Sequence, residues 1–166
     1  DAQKNIIMIS EFSGAPPAWN IRGYGVFQDT PFTFRKDSEL YTPGSSRYTG
    51  TATVEGPVPA TVTGADGSEQ WTKDWTGLPS CAPNRGTPSS TLFQINHWIT
   101  PAGAAPTIGE AKDLNAYDVL MPRVRDCMTQ RGKFPTIVGV NFVEIGDALQ
   151  VVNELNSGKI LPISAP

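Results

Sequence analysis

Four short apolar runs, each of strand length and each ending in polar residues, constrain the fold of this chain most. They are residues 6–10, 24–28, 92–96 and 137–143. None of them alternates cleanly between apolar and polar side chains, so each strand is expected to be buried on both faces. That pattern is typical of parallel strands covered by helices, and it predicts an α/β fold.

The stretches after the third and fourth runs carry the signals of helices. Thr107 and Glu110 form a capping box, and apolar residues then recur at spacings of three and four. This pattern predicts a crossover helix of about 20 residues, in which Pro122 allows a kink and Gly132 ends the helix. Asp147 is expected to cap a second amphipathic helix. The order of strand, helix, strand and helix fits one α/β domain that spans residues 1–166.

The stretch between the second and third runs, residues 30–91, has no helical periodicity. It holds two near-copies, residues 52–56 and 60–64, which a Pro-Val-Pro sequence separates. We predict a β-hairpin carried on a long insertion. An insertion of this length is either a functional element or a decorated surface loop, and both interpretations stay open.

Composition excludes some classes of function. The net charge is -3 and the 13 Lys and Arg residues are scattered, which argues against a nucleic-acid-binding protein. No run approaches the roughly 18 apolar residues that a membrane span needs. Low charge with many Gly and Pro residues is common in extracellular proteins, so we predict secretion and a disulfide between Cys81 and Cys127. The alternative is two buried free thiols.

Several sequence blocks follow one another in the order found in one enzyme family. They are residues 27–34 (Phe-Gln-Asp-Thr-Pro-Phe-Thr-Phe), 81–86 (Cys-Ala-Pro-Asn-Arg-Gly), 92–98 (Leu-Phe-Gln-Ile-Asn-His-Trp), 140–143 (Val-Asn-Phe-Val), 146–147 (Gly-Asp) and 152–156 (Val-Asn-Glu-Leu-Asn). In this order they resemble the C-terminal half of phosphatidylinositol-specific phospholipase C-like phosphodiesterases with an X-domain type barrel. The resemblance covers nearly the whole chain except the hairpin insertion.

The resemblance implies half of a (β/α)8 TIM-like barrel, in which the four runs are strands five to eight and the hairpin lies between the second and third of them. It implies an inositol phospholipid or a related phosphodiester as the substrate. The two catalytic histidines of the family would lie on the missing first half, and the start at Asp1 suggests a processed product or a fragment. Because four strands cannot close a barrel, we expect the chain to pair with an N-terminal fragment of the same protein or with a second copy of itself.

The carboxyl ends of the strands carry the chemistry in such barrels. Glu11 and Asp29 are expected to bind the hydroxyl groups of a polyol, or else to cap loops and pair with arginines. They could also join a hard metal such as calcium, but no ligand spacing supports this, and we expect no metal or cofactor. Arg85 is expected to contact a phosphoryl group through its planar guanidinium, the alternative being a salt bridge to Asp29 or Glu144.

The Asn96, His97 and Trp98 block supplies further candidates. The resemblance excludes His97, the only histidine, as either catalytic histidine of the family and makes it a contact to substrate or phosphate. The alternative is a buried group that holds Trp98 and a loop in place. Asn96 and Trp98 are candidate substrate contacts, although tryptophan more often packs beneath such a rim. Trp71 and Trp75 suit a membrane interface, or packing over the barrel edge.

Asn141 is a catalytic candidate beside His97, and this prediction rests on the resemblance. It falls where the family has a carboxylate that orients the base histidine, and an amide accepts that hydrogen bond without supplying the charge. We therefore predict a phosphoric diester hydrolase of the phosphatidylinositol phospholipase C type, with this chain supplying substrate recognition. The alternatives are a noncatalytic protein that binds a polyol, glycan or lipid headgroup, and a structural or inhibitory protein that uses the hairpin as its contact surface.

Overall fold

The chain forms a mixed α/β fold with two small parallel sheets. The computed structural model describes residues 8–10, 17, 20–32, 34–48, 79–101 and 104–158. Glu11, Trp71, Trp75 and the predicted hairpin at 52–64 lie outside these ranges. None of the described helices is long and apolar enough to cross a membrane.

Five short strands form the two sheets. β1 (Met8–Ser10) pairs in parallel with β2 (Asn20–Arg22). In the other sheet, β4 (Leu92–His97) lies between β3 (Phe27–Asp29) and β5 (Ile137–Val140), and both pairings are parallel. The predicted parallel arrangement of these strands is therefore confirmed.

The second predicted strand, residues 24–28, is wrong over its first half. Gly23–Val26 forms a single helical turn, α1, which separates β2 from β3. Two sheets result where we expected one sheet of four strands, and the described residues form no closed barrel. The half-barrel therefore stays a proposal.

A loop segment occupies the edge of β3 that faces away from β4. The amide of Asp29 donates to Arg85 O at 3.1 Å, and the amide of Asn84 donates to Asp29 O at 3.1 Å. Gly86 makes this approach feasible, since a Cβ there would lie 2.1 Å from Phe27 O. These contacts satisfy backbone groups that a neighbouring strand would otherwise pair, which explains why the sheet divides at this point.

The predicted crossover helix is present as two helices, α2 (Ile108–Leu114) and α3 (Tyr117–Arg131). The capping box at Thr107 is confirmed, with both of its hydrogen bonds formed. Pro122 lies inside α3, and Gly132 ends the helix with a left-handed φ of 58°. Local signals therefore located both ends of this region correctly.

Residues from the end of the sheet explain the break between α2 and α3. Asn115 Nδ2 donates to the carbonyl oxygens of Asn141 and Ile145, so this side chain is committed to the loop after β5. Asp147 precedes α4 (Ala148–Asn156) as predicted, but its carboxylate accepts from the amide of Tyr117 at 2.9 Å. It therefore caps α3, and it makes no side-chain cap bond in its own helix.

The apolar core lies between β4 and the helices. Its buried residues are Cys81, Phe93, Ile95, Leu120, Met121, Val124, Cys127, Met128, Ala148, Val151 and Leu155. The predicted disulfide between Cys81 and Cys127 is confirmed within this cluster. β5 is only partly buried, and Ile137 is 39% exposed. No described strand pairs with the outer edge of β5.

Candidate functional site

The side chains of β4 point alternately to the apolar core and to a polar face of the sheet. Phe93 and Ile95 point to the core beneath α3, and His97 follows them with the same period. Gln94 and Asn96 point to the opposite face. Asn96 and His97 are neighbours in the chain, yet they meet different parts of the molecule.

Asp29 is the centre of a polar network on the second face. It ends β3 beside Gln94 and is 3% exposed. Its Oδ1 accepts from the Arg85 amide at 2.9 Å and from Asn84 Nδ2 at 3.2 Å. Its Oδ2 accepts from Arg85 Nε and Nη2 at 3.0 and 2.5 Å, and from Asn96 Nδ2 at 3.3 Å. The salt bridge that was one alternative for Arg85 is therefore present, with Asp29 as its partner.

Two aromatic rings enclose the Arg85 guanidinium. Its central carbon lies 4.6 Å from the ring centroid of Tyr24 and 4.6 Å from that of Phe32. Stacking on aromatic faces and two bonds to one carboxylate fix the plane of the guanidinium. The side chain nevertheless remains 32% exposed. Arg85 is therefore a pre-oriented cation that solvent can reach.

A cavity of about 160 Å³ opens beside this cation. One part of its wall is apolar and the other part is polar, and its lining residues are Ile9, Gly23, Tyr24, Phe27, Asp29, Arg85 and Gln94. One water needs roughly 10–15 Å³ of such space, so the cavity admits a small polar ligand. Gln94 is a site residue that sequence reasoning missed, although its alternation with Phe93 and Ile95 could have indicated it.

Asn96 supports the network without reaching the solvent. It is fully buried, and its Nδ2 donates to Thr30 O at 2.7 Å as well as to Asp29. Its Oδ1 accepts from Gln94 Nε2 at 2.6 Å. Asn96 therefore positions Asp29 and Gln94, which line the cavity, and does not line the cavity itself.

His97 is fully buried on the helix side of β4. Its Nε2 lies 2.9 Å from Leu114 O, and its Nδ1 lies 3.3 Å from Arg123 Nη1. Because a guanidinium only donates, Nδ1 accepts and Nε2 carries the proton. Burial and then the charge of Arg123 lower the pKa of His97 to about 3. The neutral imidazole holds the end of β4 against α2 and α3, which favours the structural alternative.

Arg123 is a buried cation that sequence reasoning missed. It is fully buried, and its guanidinium donates to Asn96 O at 2.9 Å and to Ser80 O at 2.6 Å. Burial lowers the pKa of Arg123 to about 9, so the group stays charged at neutral pH. It lies 5.3 Å from the Phe34 ring centroid. No sequence signal distinguished it from Arg125, the exposed arginine of α3.

Trp98 and Asn141 belong to a different and much smaller cavity. That cavity has a volume of about 10 Å³, and both residues line it together with His97. This is room for about one water. The Trp98 ring packs over Gly139, where a Cβ would lie 3.0 Å from the ring. The predicted site residues therefore fall into two groups, with Asp29 and Arg85 at the larger cavity.

No protein-family model, curated protein or solved structure matches this chain. Within the ranges that the structure describes, no three His, Cys, Asp or Glu side chains are grouped so that they could hold a metal ion. Function is therefore inferred from the residues and their geometry alone.

Proposed function

We propose that this chain is the substrate-recognition half of a phosphodiesterase of the phosphatidylinositol phospholipase C type. The observation that carries the proposal is Arg85, a cation fixed by Asp29 and two rings at the edge of a 160 Å³ cavity. A planar guanidinium in fixed orientation suits the oxygens of a phosphodiester. Gln94, which also lines the cavity, adds an amide that can bind the hydroxyls of a headgroup.

The sheet order supports a barrel that a further segment completes. β3, β4 and β5 pair in parallel, and the core helices pack on one face of β4. Polar residues occupy the opposite face, as at the mouth of a (β/α)8 barrel. In this proposal an N-terminal segment of the same protein pairs with the outer edge of β5 and covers the exposed Ile9 and Ile21.

In the proposed reaction this half binds and orients the substrate. Arg85 faces the phosphoryl oxygens and stabilises the negative charge that develops on them. The general base for the inositol hydroxyl and the general acid for the leaving oxygen belong to the other half, since His97 is neutral and buried. Asn141 lines the separate small cavity beside Trp98, so it has no part in this step. The disulfide is compatible with secretion, and membrane contact through Trp71 and Trp75 stays a prediction.

The test of recognition is the binding of myo-inositol 1-phosphate, measured by calorimetry. Arg85→Met should weaken binding about 30-fold, because charge-assisted hydrogen bonds are lost. Arg35→Met removes an exposed arginine away from this cavity and should leave binding unchanged. Failure of the unmodified protein to bind the probe, or equal binding by Arg85→Met, would overturn the proposal.

A noncatalytic binding protein on the same fold is the second candidate. Asn141 in place of a carboxylate and the neutral His97 favour it. The two candidates differ in the release of soluble inositol phosphate from phosphatidylinositol vesicles. Binding of the probe without any release by the complete protein would select the binding protein.

Completion of the barrel has a separate test. Native mass determination should give a value well above 17.8 kDa, because the proposed partner half or a second copy stays bound. Sequencing of a co-purifying chain distinguishes a partner half from a homodimer. A compact, stable monomer at 17.8 kDa would contradict this part of the proposal.

A further inference from the structure

A row of hydrogen bonds joins two side chains that line the cavity of about 160 Å³. Arg85 and Asn96 both donate to Asp29 Oδ2, Arg85 from Nη2 at 2.5 Å and Asn96 from Nδ2 at 3.3 Å. Gln94 Nε2 in turn donates to Asn96 Oδ1 at 2.6 Å. Arg85 and Gln94 are the two ends of this row, and both line the cavity. The cavity therefore meets a cation at one end of the network and an amide at the other.

The sheet places both ends within reach of one ligand. Asp29 and Gln94 are Cα partners in the register of β3 and β4, so their side chains point to the same face of the sheet. Arg85 lies along the other edge of β3, where its carbonyl oxygen accepts from the Asp29 amide at 3.1 Å. Neighbouring strands are about 4.8 Å apart, so Arg85 and Gln94 flank Asp29 on either side. A small ligand in the cavity can contact both side chains at once.

The orientation of the Asn96 amide is fixed by its partners. Asn96 Nδ2 donates to Thr30 O at 2.7 Å as well as to the Asp29 carboxylate. A carbonyl oxygen and a carboxylate only accept, so the nitrogen of the amide must face them. Asn96 is fully buried, and no bulk water competes for these bonds. Its Oδ1 is therefore the atom that faces Gln94.

The orientation of Asn96 fixes that of Gln94. Because Asn96 Oδ1 accepts, the atom 2.6 Å from it is the donor Gln94 Nε2. A flipped Gln94 amide would bring two oxygens together with no proton between them. Within the described ranges of the chain, no group donates to Gln94 Oε1. The partly exposed Gln94 therefore keeps an accepting oxygen for a ligand.

We propose that Gln94 is a specificity-determining residue, which selects phosphate esters that carry a hydroxyl group. Arg85 donates to the phosphoryl oxygens, as in the proposed function on which this inference rests. Gln94 Oε1 accepts from a hydroxyl of the same ligand. An ester without hydroxyls excludes water from Gln94 Oε1 and supplies no donor in its place, which weakens binding. Asn96 is the positioning residue, since it sets the orientation of the Gln94 amide.

Two matched probes test this selection. Myo-inositol 1-phosphate and cyclohexyl phosphate share a six-membered ring and a phosphomonoester, and only the first carries ring hydroxyls. Calorimetry of the unmodified protein should show about tenfold tighter binding of the inositol phosphate. Equal or reversed affinities would overturn the selection and leave the phosphate contact at Arg85 intact. Binding of neither probe would remove the proposed function itself, so the two failures are distinguishable.

A substitution of Gln94 tests the residue. Gln94→Met keeps the length of the side chain and removes its amide, so the affinity ratio of the two probes should fall from about tenfold to within about twofold. Gln150→Met makes the same substitution at an exposed glutamine of α4 and should keep the ratio. A ratio that persists in Gln94→Met would assign hydroxyl recognition to another residue and contradict the proposal.

The side-chain amide of Gln94 offers a readout that needs no variant. In nitrogen-labelled protein its NMR signal should shift on addition of myo-inositol 1-phosphate, because the carbonyl oxygen of the amide gains a hydrogen bond. Cyclohexyl phosphate should shift it much less. Equal shifts with the two probes would contradict the proposal, even where Gln94→Met fails to fold.

Asn96→Ala tests the positioning role. The Gln94 amide can then take either orientation, so the affinity ratio should fall about threefold, while the affinity for cyclohexyl phosphate changes less than about twofold. A loss of stability alone leaves the ratio unchanged. An unchanged ratio would therefore contradict the role of Asn96.

Discussion

The two faces of β4 differ in whether their polar side chains lead to a cavity. On the helix side, Phe93 packs in the core and His97 is sealed from water between backbone and side-chain partners. On the other side, Gln94 and Asn96 join a charged pair that reaches a cavity. One strand of six residues therefore serves both a core and a candidate site.

The difference shows which chemistry is accessible. The pKa of His97 is lowered to about 3, so its imidazole is neutral and unable to exchange protons with a ligand near pH 7. Arg85 is charged and one third of its side chain is exposed. His97 is thus closed to a ligand, and the accessible charge belongs to Arg85, a loop residue beside β3.

The largest expected change in stability is at a core position of β4, and its neighbour on the opposite face serves for comparison. Phe93→Ala should lower the free energy of unfolding by about 4 kcal/mol, because Phe93 is fully buried in the core. Leu92→Ala, on the opposite face and only partly buried, should cost about 1 kcal/mol. Urea denaturation of both variants measures the difference. Equal losses would mean that the two faces are assigned incorrectly.

The second largest expected change in stability is at the salt bridge between Asp29 and Arg85. Asp29→Ala should lower the free energy of unfolding by roughly 3 kcal/mol, because five hydrogen bonds to a buried carboxylate are lost. Asp113→Ala is the matched control: it breaks the exposed ion pair with Arg47 and should cost under about 0.5 kcal/mol. Chemical denaturation at neutral pH reports both values. A cost for Asp29→Ala no larger than that of the control would refute the network.

The pH dependence of stability isolates His97, the only histidine. Its pKa is about 3 in the folded protein, well below its ordinary value of 6.5, so the unfolded state takes up the proton first as pH falls. The stability that the protein gains from keeping His97 neutral is complete above pH 6.5. It is lost as pH falls towards 3, with a slope of about 1.4 kcal/mol per pH unit.

Between pH 6.5 and 5, the loss from His97 should amount to about 2 kcal/mol. His97→Gln keeps an amide donor for Leu114 O and does not titrate, so the slope in this window should disappear. An unchanged slope in His97→Gln would assign the titration to another group.

The smallest expected change in stability is at Phe32, whose ring packs against the guanidinium of Arg85. Phe32→Leu keeps an apolar side chain and removes one of the two aromatic faces against Arg85. The free energy of unfolding should fall by about 0.5–1 kcal/mol, as cation–π contacts at partly exposed sites do. Thermal or urea denaturation measures this change. No change would show that the Phe32 ring does not help to fix the guanidinium.

Local patterns in the sequence determined the α/β class, the third and fourth strands, the capping box at Thr107 and the left-handed end at Gly132. These features depend on residues within a few positions of one another, so periodicity and capping chemistry suffice to predict them. The disulfide was predictable because the chain has only two cysteines.

Only the tertiary structure decided the site. Asp29 and Arg85 are 56 residues apart, and no pattern indicates that they pair. Period-two alternation in β4 shows which residues share a face, but not which face the helices cover. The sequence therefore predicts a ligand contact at His97, whereas the fold buries this side chain. Asp147 likewise sits where a cap was expected and serves α3, because its partner is set by packing between helices and not by neighbours in the chain.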